Sequence, residues 1–233
     1  VFRFSKHSAI TRFLFLAAAV CSCFSIFCSS NTTSVEKGNV SLRLGDYAMA
    51  QRFFEKVLTE NPDNYDARLG MGKALIQQAA AQQNDSIAWS KAIIHLEAAR
   101  TLRPQNDIEL LLSDAWTVHA RQCLKSHDTI TALLSLSKAI DYNPKSVDAL
   151  NTAGILYFRA GETDKSGLLF KRALAIDTTR PYTYFNIGMV YWSLGNTADA
   201  NNAWFKAVQL APDDKDIVYW YALSEKSLLE AKR

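Results

Sequence analysis

Residues 150–178 read LNTAGILYFRAGETDKSGLLFKRALAIDT, and residues 184–212 read YFNIGMVYWSLGNTADANNAWFKAVQLAP. Laid one above the other, the two stretches pair Gly154 with Gly188, Tyr157 with Tyr191, Gly161 with Gly195, Phe170 with Trp204 and Ala173 with Ala207. Each contains a trio in which a small residue is followed four positions later by a large apolar one and three later by another small one, Ser166/Phe170/Ala173 and Ala200/Trp204/Ala207. Spacings of four and three fall on one side of an α-helix, where the small residues admit a neighbouring helix and the bulky one fills the gap. Towards the N-terminus the trio recurs as Ala50/Phe54/Val57, Ala92/Leu96/Ala99 and Ala132/Leu136/Ala139. Five positions past each trio stand Pro62, Pro104, Pro144, Thr178 and Pro212, at intervals of 42, 40, 34 and 34. Proline lacks the N–H that continues a helix, so each interval closes on a helix stop.

A fixed period of this length describes a unit too small to bury its own apolar face, which must bury it against its neighbours. The first half of each unit is a second helix, with a glycine followed three positions later by an aromatic in the cleanest copies, Gly154/Tyr157 and Gly188/Tyr191. Between the two helices sit Gly45-Asp46, Gly161-Glu162 and Gly195-Asn196, where glycine can take the positive φ that ends a helix. These are αα-hairpins, and the chain is an array of them.

The pattern of small residue, Gly-x-x-Tyr, glycine turn, Ala-x-x-x-Phe-x-x-Ala and terminal proline resembles the tetratricopeptide repeat (TPR). The resemblance implies an all-α, right-handed α-α superhelical solenoid of about five TPR helix pairs with a C-terminal capping helix. The units fall at about 31–64, 65–106, 107–146, 147–180 and 181–214, with the capping helix at 215–231. Unit one carries Gly38, Gly45, Tyr47, Ala50, Phe54 and Pro62, with Ser41 where an aromatic is usual. Unit two has Gly72 and Leu75, then an insertion in the polar run Gln77 to Asp85. Unit three is also lengthened and places Asp114 at the glycine, in a register that could slide by one. The signature residues are packing residues; they specify the fold and leave the function open.

The N-terminal segment, 1–30, differs in kind. Arg3, Lys6 and Arg12 precede a charge-free stretch from Phe13 to Val35, apolar through about Cys28, which reads as the basic and apolar regions of an export signal. Val20-Cys21-Ser22-Cys23 resembles a bacterial lipobox, which makes Cys23 the lipidation candidate; an ordinary cleaved signal peptide and an uncleaved anchor are the alternatives. All three place the repeats outside the cytoplasm, in the periplasm, since the positive charges stay inside, and a lipid or an uncleaved anchor would hold them next to a membrane. Of 26 Lys plus Arg against 23 Asp plus Glu, three of the cations are those leader residues, so the remainder is formally neutral. Such a balance gives no footprint for nucleic acid, which wants a concentrated basic face.

No nucleophile elbow, phosphate-cradling glycine loop, paired-carboxylate cluster or zinc-protease histidine pair occurs, so neither an enzyme nor a cofactor nor a small-molecule substrate is expected. One constellation has metal-ligand character: His119, Cys123 and His127 recur at i, i+4 and i+8 on one helical stripe. Against that stands the reading of Cys123 as a small apolar core residue and of His127 as part of the turn from Lys125 to Asp128.

In TPR proteins the first helix of each pair lines the groove that takes a partner peptide or helix. The resemblance assigns to that groove Asn151, Ile155, Phe158 and Arg159 of unit four, and Tyr182, Phe185, Asn186, Met189 and Trp192 of unit five. Tyr219 and Trp220 continue it on the last helix. Phe158, Phe185 and Trp192 exceed what stacking needs and have the character of interface anchors, or they pack beneath the last helix. A carboxylate clamp is not expected, because Asp216 and Trp220 stand where its cations would. The expected function is a non-enzymatic scaffold for protein partners in the bacterial envelope, in assembly or secretion of envelope components. A regulator of cell-wall enzymes is the alternative, with a metal-binding protein on the His119 stripe behind both.

Overall fold

Every residue of the five trios is at most 1 % exposed, from Ala50, Phe54 and Val57 to Ala200, Trp204 and Ala207. The computed structural model describes residues 33–81 and 86–231, and these fold as helices joined by short turns, with no strand among the described residues. Helix α1 covers residues 33–43. It is followed by α2 (Tyr47–Glu60), α3 (Tyr65–Ala81), α4 (Ser86–Leu102), α5 (Asn106–Lys125) and α6 (Thr129–Tyr142). Then come α7 (Val147–Arg159), α8 (Thr163–Ile176), α9 (Pro181–Ser193), α10 (Thr197–Leu210) and α11 (Lys215–Glu230). Odd and even helices pair as antiparallel hairpins, giving five pairs and a lone α11. The chain forms two compact units, one up to Pro104 and one from Gln105.

The ends of the helices follow from the sequence. Asp46, Asp128 and Ser146 accept a hydrogen bond from the backbone N–H three positions on, and Asp214 accepts from Asp216 and Ile217. Gly45, Gly161 and Gly195 hold φ near +78°, where a side chain would crowd the following carbonyl. After the second helices, Asn61, Asn143 and Asp177 close an Asx turn by accepting from the N–H two positions on.

In the first unit the Phe54 ring is gripped from both sides: a Cβ on Gly38 of α1 or on Gly70 of α3 would lie 2.6 or 2.3 Å from it. Gly72 leaves the corresponding space to Leu96 of α4. The expected insert in unit two, Gln77 to Asp85, begins as a continuation of α3, which runs 17 residues to Ala81 against 13 for α7 and α9; residues 82–85 lie outside the described residues. Gln78, within that extension, accepts a hydrogen bond from the Gln51 amide of α2.

In the second unit Gly154 and Gly188 give their Cβ space to Phe170 and Trp204. The repeat-three register does slide by one. Ser113, fully buried, takes the glycine position and donates its hydroxyl to the Ala139 carbonyl (2.8 Å). The large residue of this repeat's trio is Leu136, where repeats one, four and five have Phe or Trp. The insertion in repeat three lengthens α5 to 20 residues. Its turn lacks glycine, and His127 supplies the positive φ of 60°. On α11, Glu225 stands one repeat period after Tyr191 and accepts a hydrogen bond from Tyr221 (2.7 Å). A charge at a position where the two preceding repeats pack an aromatic makes this face of α11 polar.

Candidate protein-binding groove

Helix α7 lies against α5 and α9 as well as against its own partner α8. First helices of successive repeats therefore run side by side along one face of the second unit, and the side chains assigned to the groove are carried by α7, α9 and α11.

On α7, Asn151 is half-buried. Its amide donates to the hydroxyl of fully buried Thr183 on α9 (2.8 Å), while its Oδ1 is buried with no hydrogen-bond partner among the described residues. Ile155 and Phe158 are half-buried against the cluster of Phe170, Ile187, Val190 and Ala203, and Arg159 is exposed. On α9, Tyr182 is 60 % exposed and donates its hydroxyl to Asp214 (2.6 Å). That bond pushes the phenol up and the Asp214 carboxyl down from their ordinary values. Phe185 is half-buried and its carbonyl accepts the Trp204 indole N–H (3.0 Å); Asn186 and Met189 are half-buried beside it.

Trp192 and Trp220 pack with the buried Trp204 into a triangle, with ring centroids 5.7, 6.2 and 5.5 Å apart. The aromatic surplus of the sequence thus has two parts. Trp192, Trp220 and Phe158 pack against buried side chains. Tyr182 and Tyr219 stand open, the latter 61 % exposed and edge-on to Trp220 at 5.9 Å.

Sequence reasoning missed a charged network on the same elements. Asp148, in the first turn of α7, is shared by Arg121 of α5 (3.4 Å) and Arg180 (3.3 Å), and Arg180 also binds Asp177 (2.9 Å). Asp114 of α5 is pushed up by burial and by the Asp148 charge. The sequence carries no local mark of it, since Arg180 reaches Asp148 across 32 residues.

The three side chains of the His119 stripe are not all brought together. His119 Nδ1 lies 3.0 Å from the Ser135 hydroxyl and 3.8 Å from Cys123 Sγ, and burial with the nearby Lys138 charge pushes the imidazole down. Burial pushes the Cys123 thiol up. His127 lies beyond α5 in the turn. Among the described residues no three His, Cys, Asp or Glu gather to hold a metal ion. Cys23 and the leader at 1–30 lie outside the described residues; among those described, no helix is long and apolar enough to cross a membrane.

Comparison with known families matches tetratricopeptide repeats at residues 41–83, 124–181 and 181–214, together more than half of the chain. The chain belongs to the tetratricopeptide-repeat family, whose members mediate protein–protein interaction. Human tetratricopeptide repeat protein 6 is 23 % identical over 197 residues, which are 83 % of this chain and 35 % of that protein, so the chain spans about a third of its length. Among solved structures, MamA superimposes with a TM-score of 0.55 at 23 % identity, covering 78 % of this chain and 91 % of MamA. YrrB, described as a TPR protein with an unusual peptide-binding site, does so with a TM-score of 0.56 at 18 % identity, covering 80 % and 89 %. These likenesses establish the fold.

Proposed function

We propose that this chain is a non-enzymatic adaptor of the bacterial cell envelope that holds a protein partner, as a peptide or helix, on the first-helix face of its last repeats. The observation that carries the reading is the pair Tyr182 and Tyr219, 60 and 61 % exposed on α9 and α11, the latter edge-on to Trp220 of the tryptophan triangle. Tyrosines of this kind combine a large apolar face with a polar tip and cost little ordering on binding, the features of interface anchors. Half-buried Asn186 and Met189 between them add an amide and an adaptable apolar surface. The basic residues Arg3, Lys6 and Arg12 ahead of an apolar run, and the lipobox-like Cys23, support tethering outside the cytoplasm. A triacylated cysteine would hold the repeats at a membrane surface more firmly than a single chain does.

The test is crosslinking of the native protein in cells, followed by mass spectrometry of the captured species, against a Tyr182→Ala/Tyr219→Ala variant shown by circular dichroism to fold. Capture of envelope assembly or secretion components that is lost in the variant supports the adaptor and its groove together. Capture unchanged in the variant rejects the groove. Fractionation of the wild-type protein into the cytoplasm rejects the envelope.

A further inference from the structure

Of the nine glycines, all but one are explained by the fold. Three take the positive φ of the hairpin turns, and at Gly38, Gly70, Gly72, Gly154 and Gly188 a Cβ would lie within 2.7 Å of a ring or of Leu96. Gly167 is the exception. It sits inside α8, its φ is ordinary for a helix, and a Cβ there would meet only Val190 Cγ1 at 3.4 Å, an ordinary contact. Glycine is the poorest helix residue after proline, so nothing in the helix itself recommends it.

What Gly167 does is open a cleft. One repeat earlier the equivalent position is Leu133, half-buried against the core, and the cleft between α6 and α7 there measures about 140 Å³. At the α8–α9 seam a cleft that shares the equivalents of four of its lining positions, and reaches further towards the start of α8 at Thr163 and Asp164, measures about 280 Å³, floored by Ile187, Val190 and Tyr191. Leu168 and Leu194 at its edge are 61 and 52 % exposed and extend the apolar surface outwards. The volume stands at the lower end of the roughly 300–1,000 Å³ range of ligand pockets and is ample for one leucine side chain.

The ends of the cleft carry opposite charges. Asp164 and Lys171, both lining it, are seven positions apart on α8, about 10 Å along the axis. The Lys171 ammonium lies over the Tyr191 ring, 5.8 Å from its centroid, at the mouth. An anionic lipid, or any ligand of one sign, would meet a like charge at one end. An amphipathic helix with one leucine-sized side chain between an acidic and a basic residue seven apart meets neither penalty. We propose that the Gly167 cleft is a second docking site, on a seam away from the first-helix face, for a partner helix of that chemistry.

The experiment titrates the full chain with three alanine-based helical peptides of about 15 residues, each with a central leucine, followed by amide chemical shifts. Their flanking charges, seven positions apart, are Glu and Lys, Lys and Lys, or Glu and Glu. The expected result is that the Glu/Lys peptide binds at least about fivefold more tightly than the other two, shifting Val190 and Tyr191. Lys171→Glu then favours the Lys/Lys peptide. Gly167→Leu, which copies the chain's own Leu133, keeps or raises the melting temperature and abolishes binding. Tyr182→Ala/Tyr219→Ala leaves binding unchanged, so this site and the groove stand or fall separately. Equal affinity for the three peptides, no binding of the Glu/Lys peptide, or binding that survives Gly167→Leu overturns the proposal. Self-association of the free protein that Gly167→Leu abolishes also overturns it, in favour of a second copy as the occupant.

Discussion

His127 holds the left-handed backbone angle that Gly45, Gly161 and Gly195 hold in the other hairpins, with a side chain that disfavours it. His127→Gly is therefore expected to raise stability by about 1 kcal/mol, read as a higher urea midpoint at unchanged slope. Asp177 accepts from the Thr179 hydroxyl and N–H and from Arg180, which pull its carboxyl from 3.8 down to about 2. The folded value lies below the unfolded one, so the contribution of this carboxylate is complete above the ordinary range and fades as pH falls through about 2. A carbon-detected NMR titration should place its midpoint near that value, and Arg180→Ala should move it upward. The turn at His127 was legible in the polar run from Lys125 to Asp128, but a positive φ at a histidine has no compositional mark. The bonds to Asp177 come from Thr179 and Arg180, close by in sequence, and no motif marks them.

At the scale of the element, the two kinds of helical glycine should respond in opposite senses to the same substitution. Gly188→Ala places a Cβ 2.4 Å from Trp204 Nε1 and displaces the indole that donates to the Phe185 carbonyl, at an expected cost of about 1–3 kcal/mol. Gly167→Ala makes only an ordinary contact with Val190 and should stabilise α8 by about 0.5–1 kcal/mol. Urea denaturation of the two variants side by side checks the difference in sign. The trios could be read from sequence because small-large-small spacing is imposed by the distance between helix axes. Repeat three reads with Asp114 at the glycine, in a register open to a slide of one; the slide arises because the turn before α5 is one residue shorter than those before α7 and α9, and Ser113 satisfies the position by its size and its bond to Ala139. Which aromatics stay open could not be read, since Trp192 is covered by Trp220 from a helix outside its own repeat.

At the scale of the molecule, stability is a sum of repeats and the seams between them. Helix α11 covers the last seam: Ile217 and Ser224 are buried on it, and Ser224 accepts from the Asn201 amide of α10. A chain ending before α11 should expose the tryptophan triangle, seen as a red shift in tryptophan emission and a lower melting temperature. The Phe54 ring has a consequence of another kind. Held between Gly38 of one repeat and Gly70 of the next, it acts as a mechanical pin through three helices. Under tension applied along the chain, α1, α2 and α3 should yield in one event that releases up to about 17 nm of contour, at roughly 3.5 Å for each residue from 33 to 81, less their folded end-to-end distance. Phe54→Leu should split that event into smaller steps at lower force, so the first repeats would behave as a ratchet with its pawl removed.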